Sequence, residues 1–202
     1  MKLYYSRGAC SLAVRITIHE MGIACEYESV DLKTKQTEKG EDYLKINPKG
    51  AVPTIKLSSG EVLTENAVIQ QYLADKHKAV ELLPVVGDIK RYHVLEWLNF
   101  VSTDLHKNFS PLFHPKVPEE VKDSIFRPIL KIKFSFADAH IKNNPFLTGE
   151  NMSLADSYFF VMLRWAENMK FDLNEWPNLS RFYAQMKQRK SVAQALKEEH
   201  LD

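Results

Sequence analysis

Val52-Pro53-Thr54-Ile55-Lys56-Leu57-Ser58-Ser59-Gly60-Glu61-Val62-Leu63-Thr64 has a strand pattern over Val52–Leu57, a four-residue turn signal centred on Gly60, and a return strand at Val62-Leu63. Thr64 then offers a helix cap, and Val68, Ile69, Tyr72 and Leu73 recur at helical spacing up to about Lys76. Upstream, Asn47-Pro48-Lys49-Gly50 is a strong turn signal. Nearer the amino terminus, Leu3-Tyr4-Tyr5 predicts a short strand closed by Ser6-Arg7-Gly8, and Ala9–Met21 predicts a helix ending at Gly22. Cys25–Val30 predicts a second strand, Lys33–Gly40 a polar connection or short helix, and Asp42–Ile46 leads into the turn. The first eighty residues therefore follow β-α-β and then β-β-α.

After Leu83-Pro84 the strand patterns stop. Amphipathic segments follow at Asp88 to about Phe109, Pro118–Lys142, Ser153–Met169, Pro177–Arg189 and near Val192–Glu199. A mixed α/β part followed by an all-α part predicts two domains, 1–80 and 88–202, joined by a linker at about 78–87.

Composition narrows the function classes. With 27 Lys and Arg against 26 Asp and Glu, the formal charge is +1, which supplies no electrostatic footprint for nucleic acid, and no such partner is expected. The beginning of the chain lacks a signal-peptide pattern and no stretch has the apolar length of a bilayer span, so a cytoplasmic protein without membrane association is expected. Cys10 and Cys25 are expected as free thiols, since a chain of this length needs no disulfide staple.

Five constellations bear chemistry. Cys10 falls in the first turn of the predicted helix, where unpaired N–H groups and the helix dipole favour a thiolate; a small buried core residue is the equal alternative. Cys25 has no such setting and fits the core. Val52-Pro53, if cis, turns the Val52 backbone outward to pair with an extended peptide; a trans proline on an edge strand is the commoner case. Thr64-Glu65-Asn66 opens a helix whose N–H groups suit a carboxylate, with Glu65 able to hold an ammonium group, although a plain N-cap explains it as well. Asn99, Thr103 and His106 share roughly one helix face, either a cleft lining or a solvated stripe. Ser153-Leu154-Ala155-Asp156 is a capping-box variant with a folding role.

The order and spacing of Ser6-Arg7-Gly8-Ala9-Cys10-Ser11, Asn47-Pro48-Lys49-Gly50-Ala51-Val52-Pro53, Leu63-Thr64-Glu65-Asn66 and Ser153-Leu154-Ala155-Asp156 resemble the glutathione transferase superfamily over essentially the whole chain. Cys10 together with Leu105-His106-Lys107 resembles its bacterial beta class. The resemblance implies a thioredoxin-like α/β amino-terminal domain, an all-helical carboxy-terminal domain and a homodimer. It implies Cys10 and His106 as catalytic residues facing the glutathione sulfur, with Cys10 able to form a mixed disulfide. It further implies Val52 beside a cis Pro53 pairing with the cysteinyl part, Glu65 and Asn66 holding the γ-glutamyl end and Lys35 reaching the glycyl carboxylate. Asn99, Thr103, Asp104, Leu105, His106 and Lys107 match the helical stretch that closes the site.

The implied activity is conjugation of glutathione, a co-substrate, to small hydrophobic electrophiles in detoxification, with no metal or other cofactor. Two alternatives accompany it: thiol–disulfide exchange or peroxide reduction through Cys10, and a non-catalytic ligand-binding protein of the same fold. Phe109, Leu112, Phe113 and Trp165 are candidates for an apolar wall or for core. Two departures from the family pattern stand out. Arg7 replaces a proline, which either loosens the turn or brings a cation near the sulfur, and Asn66 stands where serine is common.

Overall fold

The computed structural model describes residues 1–202 and divides into two compact units, Met1–Val80 with Gln188–Asp202, and Glu81–Lys187. In the first unit, β1 (Lys2–Tyr5), α1 (Ser11–Glu20), β2 (Glu26–Asp31), β3 (Gln36–Thr37), β4 (Thr54–Lys56), β5 (Val62–Thr64) and α2 (Asn66–Lys76) follow in chain order. They build one mixed sheet in the order β3-β2-β1-β4-β5. The α1 crossover lets β1 and β2 run parallel, while the β4–β5 hairpin is antiparallel and β4 lies antiparallel to β1.

Alternation along the strands sends side chains to two cores. Leu3 and Ile55 point to one face and pack with Val14 and Ile18 of α1 and Ile69 and Leu73 of α2. Tyr4 and Val30 point to the other and meet Tyr43 and Val52. Tyr43 is fully buried, and its hydroxyl bonds the Ala51 carbonyl at 2.8 Å and Thr54 Oγ1 at 2.7 Å, anchoring the chain just ahead of β4.

Three local expectations are corrected. Lys33–Gly40 contains β3, paired as Val30↔Thr37 and Asp31↔Gln36; Asp31 Oδ1 accepts the N–H groups of Lys33 and Thr34, and Lys35 at φ 58° completes the reversal. This polar hairpin has no apolar alternation to announce it. Thr64 belongs to β5, and Glu65 occupies the cap of α2. The strand expected over Val52–Leu57 is Thr54–Lys56, because the Val52–Pro53 bond is cis and the chain turns there.

The second unit is helical: α3 (Ile89–Phe100), a π-helical turn (Val101–His106), α4 (Lys107–Phe113), α5 (Glu119–Val121), a second π turn (Lys122–Phe126), α6 (Arg127–His140), α7 (Leu154–Asn168) and α8 (Pro177–Lys187). Its core is aromatic, with Phe109, Phe134, Phe159, Phe160 and Phe182 fully buried. Asp156 closes the capping box of α7, accepting the Ser153 N–H and Oγ–H, both at 2.7 Å, and the Leu147 N–H at 2.9 Å.

The last helix, α9 (Lys190–Glu198), departs from the expected 88–202 division, because Gln188–Asp202 groups with the first unit. Helix α9 packs on α1 with Val192, Ala195 and Leu196 buried, and charge pairs add to the contact. Arg15 of α1, 2% exposed, meets Glu198 at 3.1 Å and Glu199 at 3.2 Å, His19 meets Glu198 at 2.8 Å, and Glu20 pairs with Arg189.

Candidate functional site

Cys10 is the N-cap residue of α1 and is buried at 7% exposure. Its thiol donates to the Val52 carbonyl at 3.2 Å, so the helix start faces the chain at the cis Val52–Pro53 bond. The Cys10 carbonyl accepts the Asn66 side-chain amide at 2.6 Å. Asn66 Oδ1 in turn accepts the Gln70 amide at 2.6 Å, and Gln70 Oε1 accepts the Thr17 hydroxyl at 2.7 Å. All four residues are buried, so this chain of bonds ties the starts of α1 and α2 together.

The thiolate expectation for Cys10 is corrected. Burial pushes the thiol up to about 12; the Asn66 amide and the N–H groups of Cys10 and Ser11 pull it down by less, and Glu65 adds to the rise. Desolvation outweighs the dipole at this cap.

Glu65 adopts φ 71°, ψ 120°, a conformation rare for a residue with a side chain. It swings the chain from β5 directly into α2, whose first N–H groups have no partner within the helix. Its exposed carboxylate pairs with Lys49 at 2.6 Å, and Lys49 also donates to Thr64 Oγ1 at 3.1 Å. Lys35 lays its chain over Gly50 and donates its ammonium to the Gly50 carbonyl at 2.7 Å. Gly50 is at φ 61°, and a Cβ there would come within 3.1 Å of Leu44 and 3.2 Å of Lys35, so glycine permits this close approach. Cys10, Lys35, Val52, Pro53, Glu65 and Asn66 thus gather in the first unit around α1, α2 and the cis turn. The Asn66 side chain is committed inward.

Arg7 is engaged with the carboxy-terminal segment. Its guanidinium donates to the carbonyls of Glu199, at 2.8 Å, and His200.

Asn99, Thr103, Asp104, Leu105, His106 and Lys107 belong to the second unit. The π turn at Val101–His106 closes i→i+5 instead of i→i+4, so the face computed at 3.6 residues per turn does not hold through it. Asn99, Thr103 and Lys107 are exposed, and Leu105 is fully buried core. Thr103 Oγ1 donates to the Asn99 carbonyl at 3.0 Å, and the Lys133 ammonium at 2.5 Å holds the Asp104 carboxyl below its ordinary value. His106 bonds through Nδ1 to the Tyr158 hydroxyl and packs edge-on against Trp165 at 4.9 Å. Of the four apolar-wall candidates, Phe109 and Leu112 are core, whereas Phe113 is half-exposed and lies 4.9 Å from Trp165.

Sequence reading missed Lys49, Gln70, Thr17, Tyr158 and Glu199. Gln70 at i+4 from Asn66 was the one local signal; the other partners are set by tertiary contacts. No cluster of three or more His, Cys, Asp or Glu side chains is arranged to hold a metal ion, and no helix is long and apolar enough to cross a membrane.

Residues 8–76 match the model of the glutathione S-transferase N-terminal domain, and residues 92–190 match that of the C-terminal domain. The chain belongs to the glutathione S-transferase family. It is 43% identical to the glutathione S-transferase GstA of Escherichia coli O157:H7, with both chains covered in full, and 35% identical to GST-4.5 of Xanthomonas campestris, again over the whole of each. Among solved structures it is similar to BphK, a bacterial glutathione S-transferase described as a ternary complex (43% identity, TM-score 0.96), and to a sphingomonad glutathione S-transferase complexed with glutathione (40%, TM-score 0.95). Both match over the full length of each chain. A beta-class enzyme of Sphingomonas chungbukensis is as close, at 40% identity and TM-score 0.95. These likenesses place the chain in the bacterial beta class of the family.

Proposed function

We propose that this chain conjugates the thiol of glutathione to small hydrophobic electrophiles, in the cytoplasm and as a homodimer, in a detoxifying role. One arrangement carries the reading: the cis Val52–Pro53 turn lies between the Cys10 helix start and the Lys35 ammonium, with the start of α2 joined to Cys10 through Asn66. A γ-glutamyl tripeptide has matching chemistry. Val52 offers its backbone to the cysteinyl residue, Lys35 its cation to the glycyl carboxylate, the start of α2 its N–H groups to the γ-glutamyl carboxylate and Glu65 its charge to the α-ammonium. Among the remaining residues assigned from the family, His106 serves as the donor that stabilises the thiolate, and Asn99, Thr103, Asp104, Leu105 and Lys107 supply its helical support. Glutathione enters as co-substrate, and the reading needs no cofactor.

In the reaction the thiol proton leaves to solvent, the thiolate attacks an activated carbon, a C–S bond forms and the leaving group departs with its electron pair. Phe113, half-exposed, is the apolar surface offered to the electrophile, with the buried Trp165 packed behind it. The high proton affinity of Cys10 weighs against a redox role, since exchange chemistry requires a thiolate. The test is turnover of a chlorinated nitroaromatic with glutathione, alongside retention on immobilised glutathione. Retention with turnover supports the proposal; absence of both across a panel of electrophiles removes it.

A further inference from the structure

Helix α9 ends in a Schellman motif: the Leu201 N–H donates to the Leu196 carbonyl at 2.9 Å, the His200 N–H to the Lys197 carbonyl at 3.0 Å, and His200 is at φ 52°. That ending leaves the carbonyls of Glu199 and His200 beyond the helix's own donors. Arg7 supplies donors to both. The same segment grips the next residue: the buried Glu199 carboxylate accepts the Gly8 N–H at 2.8 Å, and the Leu201 side chain lies 3.6 Å from where a Gly8 Cβ would stand. Glu199 also meets Arg15, one turn into α1 beyond Cys10, whose guanidinium is sandwiched between the rings of Tyr5 and Tyr27 at 4.1 and 4.0 Å. The residues on both sides of Cys10 are therefore held by one carboxy-terminal segment.

We infer that Arg7, Glu199 and Leu201 are positioning residues for the Cys10 turn, a tertiary clasp that takes over the restraint a proline ring at residue 7 would supply. Inside the turn, order comes from the Ala9 N–H on the Ser6 carbonyl at 3.0 Å and the Ser6 N–H on Ser11 Oγ at 3.2 Å. The first bond closes a β-turn with Arg7 and Gly8 at its centre, and a proline ring would fix φ at residue 7 covalently in addition. Arg7 compensates with two charge-assisted bonds to a segment far away in sequence. The clasp holds the helix start against Val52, and through that contact it preorganises the surface proposed for glutathione. This step rests on the proposed function.

The experiment measures amide hydrogen exchange at Gly8 and Ala9, and glutathione affinity by calorimetry, in the full chain and in Arg7→Ala, Leu201→Ala and Arg7→Pro. Arg7 is exposed, so its truncation leaves both cores filled. Arg7→Ala and Leu201→Ala are expected to speed exchange about tenfold, the scale of one charge-assisted hydrogen bond or one partly buried side chain, and to weaken glutathione several-fold. Arg7→Pro is expected to restore both to within about twofold of the natural chain. Unchanged exchange in both truncations overturns the inference, as does faster exchange with unaltered affinity, or an Arg7→Pro chain as loose as Arg7→Ala. Should the unsubstituted chain itself fail to bind glutathione, the proposed function falls, while the exchange arm still decides the clasp.

Discussion

The side-chain amide of Asn66 donates to the backbone carbonyl of Cys10 at 2.6 Å, joining the first residue of α2 to the cap of α1. Asn66 is 6% exposed and its other amide atom accepts from Gln70. The amide thus serves the fold, and a change there acts on stability before it acts on substrate.

Asn66→Ala leaves the buried Gln70 amide without its acceptor and the Cys10 carbonyl with only the Ala13 N–H. The expected loss is about 2–3 kcal/mol, seen as a lower midpoint in thermal or urea unfolding. A loss below about 0.5 kcal/mol would show that water replaces the amide.

Cys10 stays protonated around neutral pH, because burial lifts it to about 12. Alkylation of Cys10 by a small haloacetamide is therefore expected to be slow and to rise with pH without levelling below about pH 10. Conjugation is expected to survive Cys10→Ala, read as kcat for a chlorinated nitroaromatic; a plateau near neutrality, or loss of turnover, would restore a nucleophilic role.

Lys49 occupies the Glu65 carboxylate at 2.6 Å, with both groups exposed. An exposed pair of this kind is weak, so an incoming ammonium group can displace it. Glu65→Gln is expected to raise KM for glutathione about tenfold, the scale of a lost charge-assisted bond. Lys49→Ala is expected to shift it less than about threefold. Equal effects from the two substitutions would assign the recognition to Lys49 instead.

Asp156 is fully buried, and burial raises its carboxyl to about 6 from an unfolded value of 3.8. The folded chain then holds a proton that the unfolded chain has released between about pH 4 and pH 6, so this group's contribution to stability falls as pH rises through that window. Asp156→Asn removes this slope and also exchanges an acceptor of three bonds for an amide. Denaturation across the window is expected to show a flatter pH dependence and a stability lower by about 2–4 kcal/mol in the variant; an unchanged slope would place the titration elsewhere.

Legibility followed the range of the interactions. The hairpin at Ser58–Glu61, helix α1 and the capping box at Ser153 were readable because turn chemistry, 3.6-residue spacing and capping act within a few residues. The β3 strand was not, since Gln36–Thr37 pairs by backbone bonds with no apolar pattern. The π turn at Val101–His106 was not readable either, because it changes the residues per turn without a local signal.

By itself the sequence determined the order of strands and helices apart from β3, the family motifs and the presence of a cysteine at a helix start, all consequences of short-range periodicity and turn chemistry. Tertiary structure alone decided that α9 returns to the first unit, that Arg7 finds its partners at Glu199 and His200, and that burial raises the Cys10 thiol. Those outcomes depend on desolvation and on charge pairing between residues far apart in the chain, and neither quantity exists until the chain has folded.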